Sequence, residues 1–348
     1  MTPHSPALAK ETKRLWNRLR NVGWTKEDCA IIAPMTAEIN RLKKEQNAVI
    51  LAHSYMTPDL MYGIADFVGD SYGLSIAAKS TSAQKIIFCS VHFMAETAKI
   101  LSPHKKVLLP DLNAGCSLAD SCSAESFSEF IDRHPGHVVI SYVNCSAAVK
   151  TLTDIVCTST NAVQIIESIP LHQPIIFAPD KNLGKFLIKK TGRDMVLWEG
   201  SCIVHEIFSV EKIAKLQMRH PAAKLIAHPE CEDAILERAD FIGSTTALLR
   251  YTEGSGAEKF IVATESGIIH QMEKKSPHKT FIPAPPNNAC ACNDCPHMKL
   301  NTLEKIYLCM KHEQPEILLD AALIEKAKQP IKKMLEISAK HGLVSSSR

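Results

Sequence analysis

Apolar and polar positions repeat along this chain with a long period. A helical pattern that starts with Ser or Thr and has Glu two positions later occurs at Thr36, Ser123, Ser209 and Thr302. The intervals between these starts are 87, 86 and 93 residues. A hydroxyl at the N-cap and a carboxylate in the first turn both stabilise the start of a helix. The pattern therefore predicts three repeats followed by a closing helix.

An unbroken apolar run follows each of the first three helices, namely AVILAH, HVVISY and KLIAH. Strands that are buried on both faces need such runs. Three further runs follow in every repeat, each separated from the next by a helical segment. They are FVGDS, KIIFC and KVLLP in the first repeat, DIVCTST, PIIFAP and MVLW in the second, and DFIGSTT, KFIVAT and TFIPA in the third. This alternation predicts parallel βαβ units.

The predicted fold class is α/β, with three homologous αβα repeats whose parallel sheets surround a pseudo-threefold axis. Helices would cover both faces of each sheet, because the strands carry apolar residues on both sides. The predicted divisions are an amino-terminal extension (1–35), repeat 1 (36–122), repeat 2 (123–208), repeat 3 (209–300) and carboxy-terminal helices that close on repeat 1 (301–348).

Polar residues stand where the predicted strands end. Ligands of parallel sheets bind beyond the carboxyl ends of the strands, so these residues are candidates for one shared site. The first strands end at His53 and Tyr55, at Tyr142 and Asn144, and at His228 and Glu230. The second strands end at Asp70 and Ser71, at Thr158 and Ser159, and at Ser244 and Thr245, and the third strands end at His92, Asp180 and Glu265.

A cysteine lies in the loop after the last strand of each repeat, at Cys116, Cys202 and Cys295. Three repeats around an axis would bring these thiols together. Three thiolates without a fixed fourth protein ligand suit a [4Fe-4S] cluster with one open iron, which can act as a Lewis acid. A zinc ion held by three cysteines is the alternative, and the spacing alone does not separate the two.

The stretch ACACNDCPHM, residues 289–298, offers a local arrangement of thiols as well. Cys292 and Cys295 have the C-x₂-C spacing of a structural zinc site, whereas Cys290 is one residue too close. Unliganded reduced thiols are the other local interpretation. Only Cys295 is in register with the cysteines of the other two repeats.

Composition narrows the class of protein. The 348 residues are 45% hydrophobic and 22% charged, with a net charge of +3 and no run of five or six like charges. We therefore expect no nucleic-acid partner. No apolar stretch has the length of a signal peptide or a membrane span, so the expected location is the cytoplasm, without a membrane partner. Twelve cysteines in a reducing compartment indicate metal or redox chemistry.

Twelve segments together resemble the quinolinate synthase family, in order and at similar spacing, over about residues 36 to 320. They are AHSY, GDS, VHFMAETAKIL, GCSL, YVN, TSTNAV, APDKNLG, LWEGSCIVH, AHPE, GSTT, IVATESGIIHQM and CNDCPHMKLNTLEKI. The resemblance implies condensation of iminoaspartate with dihydroxyacetone phosphate to quinolinate, the pyridine precursor of NAD, with loss of phosphate and water. It also implies the threefold αβα architecture, a [4Fe-4S] cluster on Cys116, Cys202 and Cys295, and a functional link to the enzyme that produces iminoaspartate.

The candidate site residues divide by the chemistry of their side chains. Hydroxyls at helix starts bind anions, with helix capping as the alternative role. Imidazoles, carboxylates and phenols transfer protons, and the family resemblance supports those in H-x-Y, Y-x-N, C-x-x-H and H-P-E. The predicted catalytic residues are Tyr55, His205, His228 and Glu230. The predicted substrate-binding residues are His53, Ser71, Tyr142, Asn144, Ser159, His228, Glu230, Ser244 and Thr245, and the predicted metal ligands are Cys116, Cys202 and Cys295.

The sequence departs from the family pattern at two places. The last cysteine motif reads CxCxxC where the family often has CxxCxxC, and GDSYGLS stands in place of GDSLELS.

Two other functions are alternatives. A non-catalytic iron–sulfur electron carrier or redox sensor would need a fourth cysteine and no small-molecule cavity. A zinc-dependent lyase on the same fold is the second alternative. Helix capping or ion pairing between repeats explains His92, Glu96, Asp180 and Glu265 as well as a role in the site does.

Overall fold

The computed structural model describes residues 5–287 and 293–343. The described chain begins with two helices that pack side by side, α1 (Pro6–Leu19) and α2 (Lys26–Glu45). None of the helices in these two ranges combines the length and the apolar character needed to cross a membrane.

The start of α2 corrects the prediction that this helix begins at Thr36. Thr25 is the N-cap, because its hydroxyl accepts the Asp28 N–H at 3.1 Å and the Asp28 carboxylate accepts the Thr25 N–H at 2.9 Å. This reciprocal capping box fixes the helix start. Thr36 lies inside the helix, fully buried, and donates its hydroxyl to Glu11 of α1 at 2.7 Å. Its resemblance to an N-cap is therefore coincidental.

The first sheet has four parallel strands in the order β2-β1-β3-β4. Its strands are β1 (Ala48–His53), β2 (Phe67–Gly69), β3 (Lys85–Cys89) and β4 (Lys106–Leu108). The helices that connect them are α3 (Pro58–Gly63), α4 (Ser71–Ser80) and α5 (His92–Leu101). Residues Val49 to His53 of β1 are all buried, as expected for a central strand covered on both faces.

The second sheet repeats this order as β6-β5-β7-β8. Its strands are β5 (Val138–Tyr142), β6 (Ile155–Cys157), β7 (Ile175–Ala178) and β8 (Val196–Leu197). Two helices precede it, α6 (Ser117–Asp120) and α7 (Ala124–Asp132), and its connecting helices are α8 (Ala147–Lys150), α9 (Ala162–Glu167) and α10 (Lys181–Thr191).

The third sheet has the same order again, β10-β9-β11-β12. Its strands are β9 (Lys224–Ala227), β10 (Phe241–Ile242), β11 (Lys259–Ala263) and β12 (Thr280–Pro283). The helices before and within it are α11 (Ile203–Glu206), α12 (Val210–Arg219), α13 (Asp233–Leu236), α14 (Thr245–Gly254) and α15 (Ile269–Lys275).

Three parallel sheets with one strand order confirm the predicted α/β fold of three αβα repeats. In each sheet the first and third strands of the repeat are the central pair, and their buried apolar side chains form the core. The carboxyl ends of these strands share one edge of the sheet. That edge carries the polar residues selected from the sequence.

The chain ends with α16 (Leu303–His312) and α17 (Ala321–Lys340). Helix α16 packs against α2 and β3 of the first repeat, as expected for a closing segment. Helix α17 packs mainly against the second repeat, at β6, α8 and α9, and also against α5. The closing segment therefore contacts two repeats, while the predicted domain boundaries themselves stay predictions.

Candidate active site

One cavity receives residues from all three repeats at the carboxyl ends of their strands. The empty space within it and its mouth is about 740 Å³. The predicted site residues that line it are His53, Tyr55, Ser71, Tyr142, Asn144, Ser159, His205, His228, Glu230 and Thr245, together with Cys116, Cys202 and Cys295. Side chains far apart in sequence therefore meet around a common centre, on the same side as the cysteines.

Ser244 is the one predicted site residue outside this lining. It is the N-cap of α14, where its hydroxyl accepts the Ala247 N–H at 3.4 Å, and it also accepts the Thr160 hydroxyl at 2.9 Å. The capping alternative describes its contacts in the structure. The next residue, Thr245, lines the cavity, and its Oγ1 lies 2.8 Å from the Tyr55 hydroxyl.

Capping and backbone contacts also account for polar strand-end residues that do not line the cavity. Asp180 caps α10 by accepting the Leu183 N–H at 2.8 Å. Glu96 accepts the Ala147 N–H at 2.9 Å and so links the first two repeats. The His92 side chain is 42% exposed, and its Nδ1 lies 3.8 Å from Glu96 Oε1.

Glu230 is the charged centre of the cavity. The Tyr142 hydroxyl donates to its Oε1 at 2.5 Å, and His205 Nδ1 lies 2.9 Å from its Oε2, although the direction of this second contact is poor for a hydrogen bond. Burial alone would raise the pKa of Glu230. The nearby imidazoles of His205 and His228 outweigh that effect and hold the pKa below its usual value. The carboxylate is thus ionised and enclosed.

The two imidazoles beside Glu230 form a stack with ring centroids 4.7 Å apart. Burial lowers the pKa of His228 to about 3, so this ring is neutral at physiological pH. Its Nε2 lies 3.3 Å from the Ser159 hydroxyl. A neutral imidazole in this position can exchange a proton with a ligand or with a hydroxyl.

Tyr55 is connected to the same carboxylate through the Thr264 hydroxyl and the His205 ring. Its OH lies 2.8 Å from Thr245 Oγ1 and 3.0 Å from Thr264 Oγ1, and Thr264 Oγ1 lies 3.0 Å from His205 Nε2. Burial raises the pKa of Tyr55 well above its usual value, so the phenol stays protonated. Thr264 was missed from the sequence, although its position directly after β11 is the same strand-end signal that identified the other residues.

Two further side chains keep hydrogen-bonding capacity for a ligand. The Oδ1 atom of Asn144 is buried and has no hydrogen-bond partner among the described residues. Because the Tyr55 N–H points to His53 Nδ1 at 3.2 Å, that nitrogen is an acceptor and the other ring nitrogen carries the hydrogen. Burial lowers the pKa of His53 to about 4, which keeps the ring neutral. The site therefore offers an amide oxygen and a neutral imidazole.

The three cysteines fit a metal centre by the chemistry of their surroundings. Cys116 and Cys202 stand directly before α6 and α11, and all three thiols are half-buried at the cavity. Burial raises the pKa of Cys116 to about 12 and also raises the pKa of Cys202 and of Cys295. A thiolate in such a place needs a cation, and a bound metal supplies it. The site is compatible with a metal cluster.

The distances between ligand atoms indicate which described residues could share a single metal ion. Around one tetrahedral zinc ion, thiolate sulfurs lie about 3.8 Å apart. Among the described residues, the group whose ligand atoms lie within 4.8 Å of one another is Cys202, His205 and Glu230, and the three cysteines together are not such a group. Cys290 and Cys292 lie outside the described residues, so a local zinc site with Cys295 stays a prediction.

The loop that presents Cys202 is closely packed at Gly200. A Cβ atom there would lie 2.5 Å from the Pro179 carbonyl oxygen and even closer to Ser121 Oγ. We expect Gly200→Ala to lower the free energy of unfolding by about 1–3 kcal/mol, as overpacking does. Urea unfolding of the metal-loaded protein measures this change. Gly254→Ala is the control, because a Cβ atom there meets nothing within 4 Å; equal stability of the two variants would contradict the packing argument.

Comparison with known proteins identifies the family of this chain. The profile of the Quinolinate synthetase A protein family matches residues 37–336. The chain is 62% identical over 300 residues to the quinolinate synthase of Microcystis aeruginosa, covering 86% of this chain and 94% of that protein. It is 60% identical over 300 residues to that of Rippkaea orientalis, covering 86% and 92%. The family match and these relatives show that the chain belongs to the quinolinate synthase family of enzymes.

Proposed function

We propose that this enzyme condenses iminoaspartate with dihydroxyacetone phosphate to form quinolinate, with loss of phosphate and water, in the biosynthesis of NAD. The observation that carries the proposal is the single cavity in which three cysteines from three repeats face the ionised Glu230. The two substrates together contain all the atoms of quinolinate, phosphate and water. The reaction therefore needs no external oxidant. The proposed activity does not require the protein to act as an electron carrier.

Hydroxyl groups at helix starts would hold the anionic parts of the substrates. Thr245 is the first residue of α14, and Ser71 is the first residue of α4, each a helix of ten residues. Free N–H groups and the helix dipole favour a phosphate or carboxylate at such ends. Ser159, 3.3 Å from His228 Nε2, adds a hydroxyl from the second repeat. The unpaired Oδ1 of Asn144 can accept a hydrogen bond from a hydroxyl or imine N–H of the substrates.

Proton transfer would run through Glu230 and the chain of contacts that ends at Tyr55. Condensation and loss of water both require protons to leave carbon or nitrogen and to reach leaving oxygens. Glu230 is ionised and can accept a proton. The Tyr142 hydroxyl donates a hydrogen bond to it, and His205 Nδ1 lies beside its other oxygen. Tyr55 is protonated and can donate one, and Thr264 connects it to His205.

Cys116, Cys202 and Cys295 would hold a [4Fe-4S] cluster, the assignment that three thiolates and the family resemblance support. When bound, such a cluster supplies an open iron that polarises a hydroxyl or carbonyl of the substrate as a Lewis acid. The protein contributes a half-buried setting for it, since all three cysteines line a cavity whose other walls carry the neutral ring of His228, the phenol of Tyr142 and the ionised Glu230.

A zinc-dependent lyase is the second candidate, and one observation favours it. Cys202, His205 and Glu230 have ligand atoms close enough together to hold one divalent ion. Three protein ligands with an open fourth position are typical of catalytic zinc. Metal analysis decides between the two candidates, because this group requires zinc with His205 as a ligand and does not require Cys116 or Cys295.

The proposed substrates also suggest the cellular setting. Iminoaspartate is an imine that water hydrolyses, so an enzyme that produces it must act nearby, and we infer a functional link between the two. The ten cysteines among the described residues are all unpaired. Free thiols and an iron–sulfur centre both persist in a reducing compartment, which supports the cytoplasm as the location.

The direct test is turnover by protein purified without oxygen. We expect iron-loaded protein to convert the two substrates to quinolinate and to release one phosphate per product molecule. Dihydroxyacetone without its phosphate serves as the control substrate, and we expect it to give no quinolinate. A chelating dicarboxylate should also shift the absorption spectrum if it binds at an open iron. Turnover by zinc-loaded but not by iron-loaded protein would contradict the proposal and favour the lyase.

A further inference from the structure

The loop that carries Tyr55 is held by its backbone. Three consecutive carbonyl oxygens of residues 54–56, called here the Tyr55 loop, accept hydrogen bonds from side chains late in the third repeat. The donors are Gln271 Nε2 to Ser54 O at 2.8 Å, Lys299 Nζ to Tyr55 O at 2.7 Å and His270 Nε2 to Met56 O at 3.1 Å. The conformation of this loop in the first repeat therefore depends on residues that follow β11.

Lys299 also connects the Tyr55 loop to Cys295. Its ammonium lies 2.9 Å from Oε1 of Glu265, a fully buried carboxylate, and the same oxygen accepts the Cys295 N–H at 3.1 Å. The Lys299 N–H in turn donates to the Cys295 carbonyl at 3.2 Å. The pair of Glu265 and Lys299 thus holds both backbone polar groups of Cys295 as well as the Tyr55 carbonyl.

Close packing at Gly267 makes this connection stiff. The Gly267 N–H donates to Glu265 Oε2 at 2.7 Å. A Cβ atom at Gly267 would lie 2.7 Å from that oxygen and 2.7 Å from the Tyr55 carbonyl oxygen. The two segments therefore touch with no intervening space, and close-packed interiors pass displacements from one segment to the next.

The corresponding loops of the other repeats are held in a different way. After β5, Lys150 donates to Val143 O at 3.0 Å and also to Cys145 O. After β9, Asn182 Nδ2 donates to Glu230 O at 3.3 Å. Neither contact includes one of the three cysteines assigned to the metal. Of these three strand-end loops, the Tyr55 loop is thus the one that a side chain connects to such a cysteine.

We propose that Glu265 and Lys299 are positioning residues, which set the place of the Tyr55 hydroxyl relative to the metal site by holding the Tyr55 carbonyl and the Cys295 backbone in one unit. The inference rests on the proposed function, in which Tyr55 takes part in proton transfer. A misplacement of a catalytic group by about 1 Å can lower a rate about 100-fold. The pair would therefore act on turnover through the position of Tyr55, with Glu265 at the cavity wall and Lys299 outside its lining.

The test is a variant that removes the bridge without leaving an unpaired buried charge. Glu265→Gln combined with Lys299→Met keeps the side-chain volumes and removes both charges. We expect turnover to fall about 10- to 100-fold, KM to change less than about threefold, and iron content to stay at the wild-type value. The single variant Lys299→Arg should keep most of the wild-type turnover rate, because its guanidinium retains N–H donors for both Glu265 and the Tyr55 carbonyl.

Lys279→Met is the matched control. Lys279 also donates to two carbonyl oxygens, Thr252 O at 2.7 Å and Ser255 O at 2.6 Å, but these lie away from the Tyr55 loop. Amide hydrogen exchange of the metal-loaded protein gives a second readout. Exchange at residues 54–56 should be faster in the Glu265→Gln/Lys299→Met variant and unchanged in Lys279→Met.

A double-mutant cycle with Tyr55→Phe separates this proposal from the proposed function. If the pair acts through the Tyr55 hydroxyl, adding its two substitutions to Tyr55→Phe should cause little further loss. Additive losses, loss of iron in the pair variant, or unchanged hydrogen exchange would overturn the positioning role. If Tyr55→Phe alone keeps the wild-type rate, the catalytic role of Tyr55 fails, and exchange at residues 54–56 then decides by itself whether the pair holds the loop.

Discussion

Replacing Cys116, Cys202 or Cys295 singly by alanine is expected to remove the metal cluster and abolish turnover. Each thiolate would supply one of only three bonds from protein to cluster, so no remaining ligand compensates for its loss. Wild-type protein prepared without oxygen should be brown and contain about four irons and four sulfides per chain. Chemical analysis of iron and sulfide, together with the visible spectrum, measures the outcome for each variant.

The control for these variants is Cys122→Ala. Cys122 is buried in the same segment as Cys116 but belongs to the core around Phe127, so its variant should retain the cluster. Cys290→Ala and Cys292→Ala should retain it too, because only Cys295 is in register with the other repeats. Colourless protein whose zinc depends on Cys292 and Cys295 but not on Cys116 would instead establish the local zinc site. Zinc that depends on His205 and Glu230 would establish the single-ion site.

The three repeats could be predicted from the sequence because the signals for them are local and periodic. Each apolar run of four to six residues marks a strand covered on both faces, and the runs recur at nearly constant intervals. Parallel pairing then follows from the alternation with helices. Once the strands are placed, the rule that ligands bind beyond the carboxyl ends of parallel strands predicts that His53, Tyr142 and His228 share one cavity, as they do in the structure.

Contacts between repeats could not be predicted in this way, because they depend on how the three sheets face one another. The Tyr142 hydroxyl meets Glu230, which is 88 positions away, and Lys299 meets the Tyr55 carbonyl across 244 positions. No spacing rule covers such pairs. One of the four predicted helix starts failed for a different reason, since Thr36 carries the local signal of an N-cap but the helix already begins at the capping box of Thr25. The other three starts are confirmed, because Ser123, Ser209 and Thr302 are the N-caps of α7, α12 and α16.

The charge of Glu230 should be as important to turnover as the cysteines are to the cluster. Glu230→Gln keeps the size and shape of the side chain and removes the negative charge. The variant would lose its proton-accepting carboxylate, and His205 and His228 would lose the neighbouring anion that they both face. We expect the turnover number to fall about 100-fold or more, the usual scale of a general acid–base group. Steady-state kinetics with iron content measured on the same sample gives the value.

Two further variants show whether such a loss comes from chemistry or from folding. Glu96→Gln is the matched control, because Glu96 is also a buried carboxylate but lies outside the cavity lining and accepts the Ala147 N–H, which an amide oxygen can also do. Its rate should stay within about threefold of wild type. Tyr55→Phe removes only a hydroxyl at the far end of the same chain of contacts and should also cost about 100-fold. A near-normal rate for Glu230→Gln with iron retained would assign Glu230 to structure, because the loss of a carboxylate that transfers protons must lower the rate.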